Sequence, residues 1–347
     1  MSEDNDSAIR RREFFKYPLK VLGSLMMWGF CWEISKLLLS NIEHNKEKGF
    51  TVIQKIPKRE CDCLEDVLAP SGNKPIIEDG TQIVRPRPSD FPEISYMFSR
   101  YIFGLINLYE GDSSNIIIVN KEGFFLSPAH GIFKGILLAD PGNSFYYDPL
   151  QNTIFSGEIL AYSGILNLAL GKLDKGIPNH PTTHLARETI SNGEGLYVLA
   201  YDNNAKIQDF FRTAFSLYLA NRGSSVQLPE RYAMNLKLFD PCLIEAVAFT
   251  KYQYLNKRTG GYEERRIQEI EQLKNFECGL FSELRDNQLG SPVFNYASDL
   301  AGLTIASIGT DFPAFHFDDR PVPVSLVVGA NSIRGFIKEY MDKNYKK

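Results

Sequence analysis

Short apolar runs bounded by glycine, proline and small polar residues recur through the carboxy-terminal three quarters of the chain. Ile116-Ile117-Ile118-Val119 is continuously apolar, Asn120 to Gly123 is turn chemistry and Phe124-Phe125-Leu126 returns, which predicts a β-hairpin. Further strands are expected over Gly195 to Tyr201, Leu303 to Ile308 and Val324 to Ala330, and Ile94 to Leu108 is rich in the aromatic and β-branched residues that strands favour. Phe50 to Ile56 alternates like an earlier, isolated strand, followed by a stretch punctuated by Pro70, Gly72, Pro75, Gly80, Pro86 and Pro88 that reads as an irregular connector. Helical spacing is rarer. Tyr262 to Lys274 places Ile267, Ile270 and Leu273 on one face of an expected surface helix, and Asn331 to Tyr340 places Ile333, Phe336, Ile337 and Tyr340 on one face behind an Asn or Ser N-cap.

The amino terminus has its own pattern. Arg10-Arg11-Arg12 and Lys16 precede Val21 to Trp32, twelve residues without a charge. A bilayer takes about 20 apolar residues, and extending the run to Ser40 admits Glu33 and Lys36, three apart on a helix and near one end of it. If 17–40 span a membrane, the basic cluster keeps the amino terminus in the cytoplasm and puts residues 41 onward outside, as a single-pass anchor. If they do not, they form a helix packed on the protein or on a partner, and the location is cytoplasmic. No small-x-small cleavage pattern follows the run, which argues against a removed signal peptide. The expected organisation is 1–45 as basic segment and candidate anchor helix, 46–88 as a connector with one strand, and 89–347 as the main domain.

Composition narrows the partners. With 347 residues, 44% hydrophobic and 23% charged, the chain is globular and long enough for a sizeable core. A net charge of -4 and the lack of a long Lys/Arg run leave no field to gather nucleic acid, so no nucleic-acid partner is expected. Five cysteines (Cys31, Cys61, Cys63, Cys242, Cys278) are too few for a disulfide scaffold. Cys61 and Cys63 form a lone C-x-C without a second ligand pair, and neither a metal nor a cofactor is expected. Cys242 and Cys278 are left as a candidate pair in an oxidising compartment.

Candidate chemistry sits in three short stretches. Gly123-Phe124-Phe125-Leu126-Ser127-Pro128-Ala129-His130 delivers a histidine from a Gly turn and an apolar strand. Ile165-Leu166-Asn167-Leu168-Ala169-Leu170 follows, with Asn167 placed 37 residues after His130. Asn287-Gln288-Leu289-Gly290-Ser291-Pro292-Val293-Phe294 lies far downstream. Together these resemble, in chain order, the base, acid and nucleophile segments of trypsin-like (chymotrypsin-fold) serine peptidases. Gly193-Glu194-Gly195-Leu196-Tyr197-Val198-Leu199-Ala200-Tyr201 is similar to the segment that opens that family's second barrel, with Ala200 in place of the usual glycine. The resemblance implies an all-β fold of two packed antiparallel barrels with a carboxy-terminal helix, to which the patterns above add the inserted surface helix and the amino-terminal helix.

It also implies damage. His130 keeps the base, but Asn167 stands where the acid belongs and Leu289 where the serine belongs, with Asn287 and Gly290 in the loop whose backbone would form the oxyanion hole. In the serine-peptidase triad, turning the acid into its amide lowers turnover roughly 10⁴-fold. Loss of the serine costs roughly 10⁶. The resemblance thus points to a peptidase homologue without activity that binds a protein or peptide partner. The alternative is an active serine endopeptidase with a displaced triad using His130 and Ser291. Asp174 reads as a solvated turn residue. Glu283 falls where active relatives carry a specificity residue, although a surface carboxylate is its simpler account.

Overall fold

The computed structural model describes residues 49–69, 77–78, 82–83, 102–106, 113–129, 144–148, 153–178, 180, 182–201, 226–227, 241–255, 260–269, 273–282, 284, 288–308, 316–317, 320–321 and 324–345. The chain divides into two units, Met1–Gly49 and Phe50–Lys347, and the second carries all the elements named below. His130, Asn287, Glu283 and residues 17–40 lie outside the described residues.

The second unit begins with strand β1 (Thr51–Val52) and two short helices, α1 (Lys58–Asp62) and α2 (Glu65–Leu68). After a hairpin of two-residue strands (Ile77–Glu78 with Gln82–Ile83), the first barrel is formed by six strands: β2 (Ile102–Ile106), β3 (Ser113–Ile118), β4 (Phe124–Pro128), β5 (Ser144–Asp148), β6 (Thr153–Ser163) and β7 (Leu168–Leu173). Their antiparallel pairings run β2-β3-β4-β7-β6-β5 and return to β2, so the ring closes. A second closed barrel is built from β8 (Gly195–Tyr201), β9 (Pro241–Phe249), β12 (Cys278–Leu280), β13 (Pro292–Phe294), β14 (Leu300–Ile308) and β15 (Val324–Gly329), with the hairpin β10 (Lys251–Leu255) and β11 (Tyr262–Arg266) inserted between β9 and β12. Its ring runs β8-β9-β12-β15-β14-β13. Counted from the first strand of each, the order is the same in both: one, two, three, six, five, four. This is the expected pair of antiparallel barrels, and helix α3 (Ala330–Tyr345) closes the chain as expected. Closure leaves few backbone groups unpaired at open sheet edges.

The apolar runs are continuous because both faces of these strands are covered. Along β3 and β4, Ile117, Val119, Phe124 and Leu126 enter the large core shared with α1, α2 and α3. Their neighbours Ile116, Ile118 and Phe125, followed by Ala129, enter a separate cluster with Ala169 and Leu173. The period of two is present but both sets are buried. Where β4 meets β7, Phe125 faces Gly171, and a Cβ on Gly171 would lie 2.1 Å from the Phe125 ring. The glycine lets the ring cross the neighbouring strand.

Two expectations change. The surface helix over Tyr262–Lys274 is instead strand β11, paired residue by residue with β10 from Lys251↔Arg266 to Leu255↔Tyr262, followed by a single 3-10 turn at Ile267–Glu269. The Gly260-Gly261 pair, with Gly260 at φ 68, is hairpin chemistry, and an available strand edge outweighs helical spacing. Ile267 and Leu273 still reach a core cluster with Phe249, Val324 and Leu326, which accounts for the apolar period. The candidate pair Cys242 and Cys278 is also excluded by register. Cys242 lies opposite Ala200, whereas Cys278 lies next to the Phe249↔Gly279 pair at the other end of β9. That is about 25 Å at the ~3.3 Å rise of a strand, and a disulfide needs Cα atoms within about 7 Å. Cys278 is a buried free thiol.

The connector expected over 46–88 has its first part inside the fold. Thr51 and Val52 pair with Tyr162 and Ala161 of β6, and Cys61, Leu64 and Val67 are fully buried in the main core.

Candidate functional site

The strand β4 ends at Pro128, and Ala129 comes after it, almost wholly buried. The Ala129 N–H donates to the carbonyl of Asn167 at 2.9 Å, one residue before the Pro128↔Leu168 pair that joins β4 to β7. The residue that precedes His130 is therefore tied by its backbone to Asn167, the residue expected at the acid position. Asn167 closes the 164–167 turn at φ 51, in the left-handed region that Asn tolerates better than most residues.

The loop expected to hold the nucleophile position reaches the same place from the other barrel. Gly290 N–H donates to Thr304 O (2.7 Å), and Thr304 N–H and Oγ1–H donate to Ser291 O (3.0 and 3.1 Å), extending the β13-β14 pairing by two residues. On its opposite side, Asn115 N–H at the head of the first barrel donates to Leu289 O (2.8 Å). Gly290 sits at φ +87, and a Cβ there would lie 1.9 Å from Asn115 O and 2.8 Å from Pro128 Cδ. Only glycine combines that backbone conformation with that closeness. Residues 115, 128–129, 167 and 289–291 are thus brought together at the seam between the barrels.

The side chains found there do little chemistry. Leu289 is 6% exposed and carries no nucleophilic atom. Ser291 is fully buried, and its hydroxyl donates to Gln288 O (2.6 Å) while accepting from Asn115 Nδ2 (2.9 Å). Asn115 Nδ2 also donates to Gln288 O (3.2 Å), and Asn115 Oδ1 finds no partner among the described residues. Sequence reasoning passed over Asn115. The available signal was one amide opening a strand of isoleucines, a position where a buried polar side chain needs a reason.

Other reactive groups among the described residues are held in unreactive forms. Burial, reinforced by the Glu122 carboxylate, pushes the Cys63 thiol up to about 11, and its Sγ–H donates to Glu60 O (2.6 Å). Burial also pushes the Cys278 thiol well up, so neither is a thiolate at neutral pH. Glu277 and Glu194 are both raised above the ordinary carboxylate value, by burial first, and each accepts a backbone N–H of the inter-barrel connector: Ile190 on Glu277 Oε1 (2.8 Å) and Ser191 on Glu194 Oε2 (2.7 Å). They brace that connector. No group of three His, Cys, Asp or Glu among the described residues could hold a metal ion.

No family model matches the sequence, and no curated protein matches it. Solved structures do. An inactive form of Rv3671c from M. tuberculosis H37Rv, a serine-to-alanine mutant, is similar with 11% identity and a TM-score of 0.43, covering 77% of this chain and 98% of that one. A second inactive form of the Rv3671c protease has 10% identity and a TM-score of 0.42, over 74% and 98%. The MamO protease domain from Magnetospirillum magneticum has 13% identity and a TM-score of 0.40, over 68% and 95%. At these values the fold assignment rests on the strand order of this chain itself.

Proposed function

We propose that the chain is a trypsin-like serine peptidase homologue without hydrolytic activity, whose double barrel serves as a peptide- or protein-binding module. The observation that carries the reading is the pair of side chains at 289 and 291: an aliphatic group where a hydroxyl has to attack, and a hydroxyl next door already spent on the loop's own backbone. A hydrolase of this kind needs a nucleophile within reach of an imidazole and a carboxylate on the other ring nitrogen. Asn167 mimics the shape of that carboxylate but carries no charge to stabilise an imidazolium. A cleft between two barrels still offers strand edges to an extended peptide, and binding then proceeds without cleavage. Function belongs to the site rather than to the fold, and here the site has lost its chemistry.

The displaced-triad reading draws no support from Ser291, whose proton points at Gln288 O from a fully buried position. Labelling of the purified chain with a serine-directed fluorophosphonate separates the two. The expected result is no labelling. Labelling that disappears in both His130→Ala and Ser291→Ala variants would overturn the inactive reading and install the displaced triad.

A further inference from the structure

Residues 50–69 form a strap that touches the first barrel, the inter-barrel connector and the carboxy-terminal helix. On the first barrel, β1 pairs with β6, and the N–H groups of Ile53 and Gln54 both donate to Leu160 O (2.8 and 3.1 Å). The Lys172 ammonium pairs with Glu60, and Asn120 Nδ2 donates to Cys63 O (3.3 Å). On the inter-barrel connector, Leu185 N–H donates to Val67 O (3.3 Å), and His184 Nδ1 lies 3.3 Å from Ala69 O. On the carboxy-terminal helix, one side chain makes a reciprocal pair with one residue of the strap: Ile56 N–H donates to Asn344 Oδ1 and Asn344 Nδ2 donates to Ile56 O, both at 3.0 Å. Tyr340 adds a hydroxyl bond to Gln54 O (3.2 Å), and Phe50 meets the edge of Phe336 with ring centroids 5.3 Å apart.

Helix α3 in turn packs on β14 and β15 of the second barrel, and its Arg334 Nη2 donates to Ala186 O (2.7 Å). The strap therefore runs from the first barrel to the element that caps the second. β6, which it holds, leads directly into the turn that carries Asn167, while β14 bears Thr304, which fixes Gly290 and Ser291. Between the barrels themselves, the contacts among the described residues include Asn115 N–H on Leu289 O, Asn115 Nδ2 on Ser291 Oγ and Gln288 O, the close approach of Gly290 to Asn115 O and Pro128, and Asn275 Nδ2 on Ile165 O (3.0 Å).

We propose that this strap is a brace that sets how the two barrels meet, so that strap and seam open as one cooperative unit. Packed bodies joined by a limited set of contacts lose protection together when one of the ties between them is loosened. The brace operates whether the cleft binds or cuts.

Hydrogen exchange read by mass spectrometry tests it on the full chain, wild type against Asn344→Ala. Losing both Asn344 bonds is expected to raise exchange about tenfold in residues 50–56 and by a similar factor at the seam amides of Asn115, Gly290 and Thr304, with β8 and β9 unchanged. Faster exchange in the strap with the seam unchanged would overturn the brace. Should Asn344→Ala not fold, Tyr340→Phe removes only the hydroxyl bond to Gln54 O and is expected to give a smaller rise at both places. Unchanged exchange in the strap in the folded variants also overturns the proposal, because the bonds that define the brace would then carry nothing.

Discussion

Gly290 lies where the second barrel's loop meets Asn115 and Pro128 of the first, and its identity is set by two independent demands: a left-handed backbone and no Cβ against Asn115 O. A methyl group there meets both penalties at once, the strain of positive φ and an overlap with backbone that cannot rotate away. Gly290→Ala is expected to destabilise the fold by about 3 kcal/mol or more, measured by urea unfolding. Part of this scale was legible beforehand. The glycine belongs to a recognisable stretch, and the isobutyl group of Leu289 and the amide of Asn167 are stated by the letters themselves. The use of the Ser291 hydroxyl was not legible, because its two partners, Gln288 O and Asn115 Nδ2, come from its own loop and from a strand 176 residues earlier.

Among the elements, the connector that joins the barrels and β12 are held by Glu277, whose carboxylate accepts the Ile190 N–H from a half-buried position. Burial is the main reason its proton is held more tightly than the ordinary 4.5, with repulsion from Glu194 adding to it against the Ile190 bond. The folded state thus binds this proton more tightly than the unfolded chain does. Its contribution is complete below the unfolded value and lost as the pH rises through the folded one. A Glu277→Gln variant keeps the acceptor oxygen without the charge. It is therefore expected to melt no lower than wild type at pH 7, with the difference closing as the pH falls toward 4, read by thermal denaturation across that range. Strand runs such as Ile116 to Val119 were readable because an apolar stretch of that length, bounded by turn residues, has few other uses. The hairpin at Lys251–Arg266 was not, since the spacing of Ile267, Ile270 and Leu273 suits a helix and only the neighbouring strand edge decides against it.

For the whole molecule, the fold reaches back to Phe50. Full burial of Cys61, Leu64 and Val67 contributes on the order of 5 kcal/mol, against a total stability of roughly 5–15 kcal/mol for a domain. A chain starting at Phe50 is expected to unfold cooperatively near the temperature of the full protein. A chain starting at Pro70 is expected to show no cooperative transition by circular dichroism. Local pattern determined which of the stretches singled out become strands, because turn chemistry and apolar run length act over a few residues, whereas the expected barrels came from a resemblance in motif order. Tertiary structure alone decided that the stretch after Phe50 is a brace, that Cys242 and Cys278 stand at opposite ends of a strand, and that Ser291 turns its proton inward. Each of these depends on which distant backbone supplies the partner, and one sequence holds no record of that distance.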